Sequence, residues 1–130
     1  NWEHVAGPEL VADNTNDALL AWITCSHLKS NAISIVCDGS LIGGGMGQVD
    51  RVSAARLAIQ RAGKTLQEVN CPIAGSDAFF PFPDGPELLI NSGIKCIVQP
   101  GGSVRDQETI DLCNEREITL LHTGNRCFRH

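Results

Sequence analysis

The chain contains no tyrosine and a single methionine, so its aromatic content rests on four phenylalanines and two tryptophans. It lacks any apolar run near the roughly 18 to 20 residues of a bilayer-spanning helix, because Gly, Asp or His interrupts every candidate. That excludes a membrane-spanning helix and makes a membrane partner unexpected. The opening Asn1-Trp2-Glu3-His4 has neither the basic nor the apolar region of a secretory signal, and Asn1 in place of Met reads as a chain whose preceding residues have been removed. The six cysteines never form C-x-x-C and stay below the roughly 8 to 10% density of disulfide scaffolds. They read as reduced thiols of a cytoplasmic protein, with Cys37 and Cys96 acting as small hydrophobes in strand-like runs. Positive charge is scarce as well. A net charge of −5 argues against a nucleic-acid partner, whose binding needs clustered Lys and Arg. The exception is local, since His122 to His130 holds Arg126, Arg129 and two histidines with no acid.

What is present fits one compact domain: 130 residues, 42% hydrophobic and 19% charged. A chain of this size buries about two-thirds of the surface its unfolded form exposes, enough for a core without staples. Residues 1–16 are polar and show no strong period, so they read as a lead-in segment, either linker or strand. Apolar positions recur at helical spacing over 17–29 after an Asn16/Asp17 cap signal. Asp38-Gly39 between two short apolar runs predicts a β-hairpin, because Gly supplies the positive φ of a tight turn. A glycine run from Gly43 to Gly47 leads into a helix over 49–62 that Gly63 stops. Lys64 to Ala74 reads as a polar connection, and the Phe- and Pro-rich stretch from Ser76 to Gly85 excludes regular helix. A helix over 87–92, a strand over 94–99, a helix opened by a Ser103-x-x-Asp106 capping box and a strand over 118–121 complete the order. That order suits an α/β fold, a mixed sheet covered on its faces by helices.

Several groups invite a chemical reading, each beside a plainer one. The glycines before the 49–62 helix either cradle an anion at its positive end or allow tight packing; Gln48 stands where a third dinucleotide-binding glycine would be. Arg51 in the first turn opposes the helix dipole unless an anion balances it, and the plainer reading, a surface Arg paired with Asp50 or a nearby carboxylate, is preferred. Arg105 with Asp106 reads the same way. Phe79 to Asp84 is either a hydrophobic plug or an aromatic wall for a flat heterocycle, with Asp84 a hydrogen-bonding carboxylate or a turn residue. If extended, the tail sets Arg126, Phe128 and His130 on one side. No H-x-E with P-C-x-x-C zinc-deaminase signature, G-x-S-x-G or H-E-x-x-H occurs, and no zinc or other metal is expected.

Five blocks occur in one register: KSNAI (29–33), GMGQVDR (45–51), SDAFFPFPD (76–84), QPGGSVR (99–105) and RCFRH (126–130). Together they resemble the C-terminal part of the aminoimidazole carboxamide ribonucleotide (AICAR) transformylase domain in the bifunctional purine biosynthesis family, which joins that activity to an IMP cyclohydrolase. The resemblance spans residues 17–130 and implies a zinc-free, cytidine-deaminase-like α/β/α layering. It further implies formyl transfer from 10-formyltetrahydrofolate to the 5-amino group of AICAR, in an enzyme that works as a homodimer. By motif, Asn31 is the active-site amide and, with Arg51, Phe79, Arg126, Phe128 and His130, contacts AICAR. Pro81, Phe82, Asp84 and Ser103 face the folate. The family's catalytic Lys-His pair belongs to the first transformylase half, and His27 with Lys29 does not correspond to it. The chain alone is therefore expected to be inactive, lacking that half and the cyclohydrolase. The alternative is a non-catalytic nucleotide-binding or regulatory module that keeps the AICAR site.

Overall fold

The computed structural model describes residues 2–124 and shows one six-stranded mixed sheet between two helical layers. Its strands are β1 (Glu3–Ala6), β2 (Ile33–Cys37), β3 (Ser40–Gly45), β4 (Ile73–Ser76), β5 (Cys96–Gln99) and β6 (Thr119–His122), in the spatial order β1-β6-β5-β4-β2-β3. Its helices are α1 (Thr15–His27), α2 (Arg51–Ala62), α3 (Thr65–Glu68), α4 (Asp84–Asn91) and α5 (Asp106–Arg116). β4, β5 and β6 run parallel; β2 is antiparallel to both β3 and β4, and β1 is antiparallel to β6.

The sheet's burial pattern explains the layering. Ala18 and Ala21 of α1 cover Val36, Ile73, Cys96 and Val98 on one face. Residues of α2, α4 and α5 cover Ile33, Ile35, Ala74, Ile97 and Leu120 on the other. Both faces of the central strands are therefore apolar, as parallel and mixed sheets require. None of the described helices is long and apolar enough to cross a membrane.

The hairpin forms as the sequence predicts: Cys37 pairs with Ser40 across Asp38 and Gly39, whose φ values of 50° and 76° make the two-residue turn. Asp17 plays a different part from the expected cap. α1 starts two residues earlier, at Thr15, and the buried Asp17 carboxylate accepts from the N–H groups of Asp38 (2.9 Å) and Gly39 (2.8 Å). It thus braces the turn against α1. The last helix starts at Asp106, so the capping box shifts: Ser103 Oγ accepts from Arg105 N–H, and Asp106 Oδ2 accepts from Gly102 N–H.

The glycine run corrects the loop reading. Gly43, Gly44 and Gly45 lie inside β3, and α2 rests directly on that strand. A Cβ on Gly43 would sit 2.3 Å from Ala58 O, and one on Gly45 would sit 2.2 Å from Ala54 O. These alternate residues face the helix, with Ala54 and Ala58 opposite, so Gly43 and Gly45 serve the close packing of α2 on the strand. β4 and α3 occupy the stretch read as a polar connection, and the expected lead-in carries β1.

Gly45→Ala should therefore cost about 1–3 kcal/mol or more by forcing α2 off the sheet. Gly44→Ala, whose Cβ would meet only Leu28 and Leu41 at 3.7 and 4.0 Å, should stay within about 0.5 kcal/mol. Urea denaturation of the two variants checks this difference.

Candidate functional site

The antiparallel turn of β2 against its neighbours brings several chain ends to one edge of the sheet. The start of β2 and the carboxyl ends of β3, β4, β5 and β6 meet there. In open α/β sheets this is where ligands bind. Three cavities of about 280, 160 and 370 Å³ lie along it, sharing Pro81 as a common lining residue. Asn31, Arg51 and Phe79 line the first, Arg51, Phe82 and Asp84 the second, and Phe79, Phe82, Ser103 and Arg105 the third. The structure thus gathers in one cleft the described residues that the sequence nominated from four separate segments.

At its base is a buried charge cluster. Asp50 caps α2 by accepting from Ser53 N–H at 2.6 Å, which also holds its carboxyl below the usual range. The cap turns Arg51 inward. Arg51 is 7% exposed, and its guanidinium donates to Ala32 O and Ser76 Oγ, each at 3.2 Å, and to the carboxylate of Asp77 and the amide oxygen of Asn31. Asp77, fully buried, also accepts from Ser30 Oγ (2.6 Å) and Ala32 N–H (3.2 Å). This corrects the preferred surface reading of Arg51: the anion that offsets the helix dipole is Asp77. Nothing local could reveal it, since the two residues lie 26 apart in sequence.

Asn31 is oriented by that cluster. Its oxygen faces Arg51, its Nδ2 donates to Gln48 O at 3.0 Å, and its backbone N–H donates to the same carbonyl at 3.2 Å. A side-chain amide has two N–H donors, so one remains for the cleft that Asn31 lines.

The Phe-Pro segment is both plug and wall. Phe80 is 1% exposed and enters the core, whereas Phe79 is half-buried and Phe82 is 52% exposed. Gly85 makes room for Phe80, because a Cβ there would come within 2.7 Å of its ring. The guanidinium of Arg105 lies 4.9 Å from the centre of the Phe82 ring, and its NH1 is 3.5 Å from Glu108. Two residues the sequence did not nominate hold the wall from behind: Gln99 Oε1 accepts from Phe80 N–H at 3.1 Å, and Gln99 Nε2 lies 3.0 Å from His122 Nε2. A polar residue ending the apolar strand was the available signal for Gln99.

Arg126, Phe128 and His130 lie outside the described residues. His27 and Lys29 line none of the three cavities. Among the described residues, Cys25, Cys37, Cys96 and Cys113 are buried: burial pushes Cys113 up to about 12 and Cys96 higher still, so neither of those two is a nucleophile near neutral pH. Among the described residues, Asp17, Cys37 and Asp38 bring three potential metal-ligand atoms within 4.8 Å of one another. They lie at the opposite end of β2 from Asn31, and both Asp17 oxygens already accept from the hairpin turn.

The fold is that of the cytidine-deaminase-like α/β/α class. An Acinetobacter baumannii RibD structure superposes with a TM-score of 0.53 at 17% identity, over 81% of this chain and 32% of that one. A Thermotoga maritima diaminohydroxyphosphoribosylaminopyrimidine deaminase/5-amino-6-(5-phosphoribosylamino)uracil reductase gives 0.50 at 21% identity, over 81% and 33%. Sequence likeness is narrower. The family model described as "AICARFT/IMPCHase bienzyme" matches residues 1–61. The bifunctional purine biosynthesis protein PurH of Mycobacterium marinum is 52% identical over the whole chain, and that of Cutibacterium acnes 45%. The chain spans about a quarter of their length, 24% and 25%. Over all its residues it is therefore similar to one quarter-length segment of PurH.

Arg51→Met should destabilise the chain by about 3–5 kcal/mol, because it leaves Asp77 buried without its counter-charge. A double-mutant cycle with Asp77→Leu should recover much of that loss, giving a coupling above about 1 kcal/mol in denaturant unfolding.

Proposed function

We propose that the chain is the C-terminal piece of an AICAR transformylase, supplying part of the site where 10-formyltetrahydrofolate donates its formyl group to the 5-amino group of AICAR. The observation that carries this reading is the oriented Asn31 amide at the base of an aromatic-walled cleft, in a chain 52% identical throughout to a PurH segment. In the transfer, the AICAR amine attacks the formyl carbon and gives up a proton, and the folate nitrogen leaves with one. The remaining Asn31 N–H is placed to donate to an oxygen that gains charge in that step. Phe79 stacks on the flat AICAR ring, and Pro81, Phe82, Asp84 and Ser103 face the folate. Arg51 acts through Asn31, since its guanidinium already meets four protein acceptors. Arg126, Phe128 and His130 complete the AICAR side.

Among the described residues lining the three cavities there is no lysine or histidine. By the family resemblance the proton acceptor belongs to the first transformylase half, and the intact enzyme, with both halves, is a cytoplasmic homodimer. Alone, the chain binds nucleotide without turning it over.

Calorimetric titration with AICAR nucleotide tests this. Saturable binding is expected, weakened at least about tenfold in Phe79→Ala and in Arg126→Ala, a loss of about 1.4 kcal/mol. Absence of binding by the chain, both alone and with the first half added in trans, would overturn the reading.

A further inference from the structure

The aromatic wall of the cleft is anchored by one backbone hydrogen bond whose acceptor is a side chain. Phe80 N–H donates to Gln99 Oε1, and this leaves the Gln99 NH₂ to face His122 Nε2 at 3.0 Å. Gln99 is 1% exposed, so neither end of its amide has water as an easy substitute. The geometry fixes the ring's state: Nε2 must carry the lone pair and Nδ1 the proton. A proton on Nε2 would set N–H against N–H. Turning the amide over to satisfy the ring would then aim the NH₂ at Phe80 N–H. Either way one buried donor loses its acceptor.

We propose that Gln99 and His122 are positioning residues that hold Phe79, Pro81 and Phe82 in register across the cleft, and that protonation of His122 releases this wall. Release reaches both sides, because the Gly101–Gly102 turn lies between His122 and the third cavity. A Cβ on Gly101 would sit 2.5 Å from His122 Nδ1, and Gly102 lines that cavity.

Among the described residues, the charged groups facing His122 are Glu3, its partner across β1 and β6, and Asp106 of α5. Both favour the protonated ring, and Asp106 Oδ1 is itself buried without a partner. Burial outweighs them and holds the ring below the usual histidine value. The anchored state is therefore complete above about pH 6.5 and is lost as pH falls below it.

The ligand arm of the test rests on the proposed function, and the backbone arm does not. ¹⁵N NMR of the chain from about pH 8 to about pH 4.5 follows the His122 ring and the Phe80 amide together, with circular dichroism checking that the fold persists. The Phe80 amide is expected to shift and lose at least about fivefold in exchange protection with the His122 titration. His122→Gln keeps an acceptor that does not titrate and should make Phe80 insensitive to pH. Gln99→Glu accepts from both Phe80 N–H and a ring Nε2–H, whether the ring is neutral or protonated, and should keep Phe80 protected throughout the His122 titration. AICAR nucleotide affinity should fall in step with Phe80 in the unaltered chain. A Phe80 amide indifferent to the His122 titration, or still responsive in His122→Gln, overturns the inference. A responsive Phe80 in a chain that binds no nucleotide, with or without the first half, supports the relay and overturns only the proposed function.

Discussion

The buried pairing of Arg51 with Asp77 is the constraint on which the rest of the site depends. Removing both charges from water costs several kcal/mol each, and attraction alone seldom offsets that. Here the remaining valences are met: Asp77 also accepts from Ser30 and Ala32, and Arg51 also donates to Ala32, Ser76 and Asn31. The cluster ties the start of β2, the end of β4 and the first turn of α2 to one point. Replacing it with apolar groups of similar volume need not weaken the fold, but would leave the Asn31 amide without its orienting donor. Its contribution is a unique arrangement at the edge of the sheet more than raw stability.

For Arg51 to reach Asp77, α2 must lie unusually close to β3, and the glycines permit that. Gly43 and Gly45 present bare backbone to Ala54 and Ala58, so the helix axis settles onto the strand instead of riding on side chains. The same trade recurs at Gly75, where a Cβ would lie 2.5 Å from Ala21 O of α1, and at Gly85 under the Phe80 ring. Small residues at the contacts, and a large ring at the one place meant to be filled, set the distance between layers and hence the position of every group at the cleft.

The sequence carried those features that are local. Asp38-Gly39 announced a two-residue turn, Gly63 marked the end of α2, whose start lies at Arg51 and not at Val49, and two prolines among three phenylalanines ruled out helix over most of the wall, although α4 already begins at Asp84. β4 escaped notice because Ile73-Ala74-Gly75-Ser76 is four residues long, has one β-branched member and shows no alternation; its burial on both faces comes from its neighbours. The glycine run misled for a related reason, since a phosphate loop and a close helix–strand contact ask for the same residue. Arg51 was noticed through its mismatch with the helix dipole, but its partner is supplied by topology and leaves no trace in nearby sequence.

The wall shows how a short irregular segment can be made rigid without secondary structure. Pro81 and Pro83 each fix φ, Phe80 is bolted into the core, and the Phe80 N–H has Gln99 as its acceptor. Phe79 and Phe82 are then held facing outward with few torsions left to order, so a flat ligand meets rings whose entropy was lost on folding and not on binding. Pre-organisation of this kind depends on every anchor at once. Of those anchors the Phe80 hydrogen bond alone runs through a side chain that touches a titratable ring, and so it is the place where an otherwise rigid wall remains responsive to its surroundings.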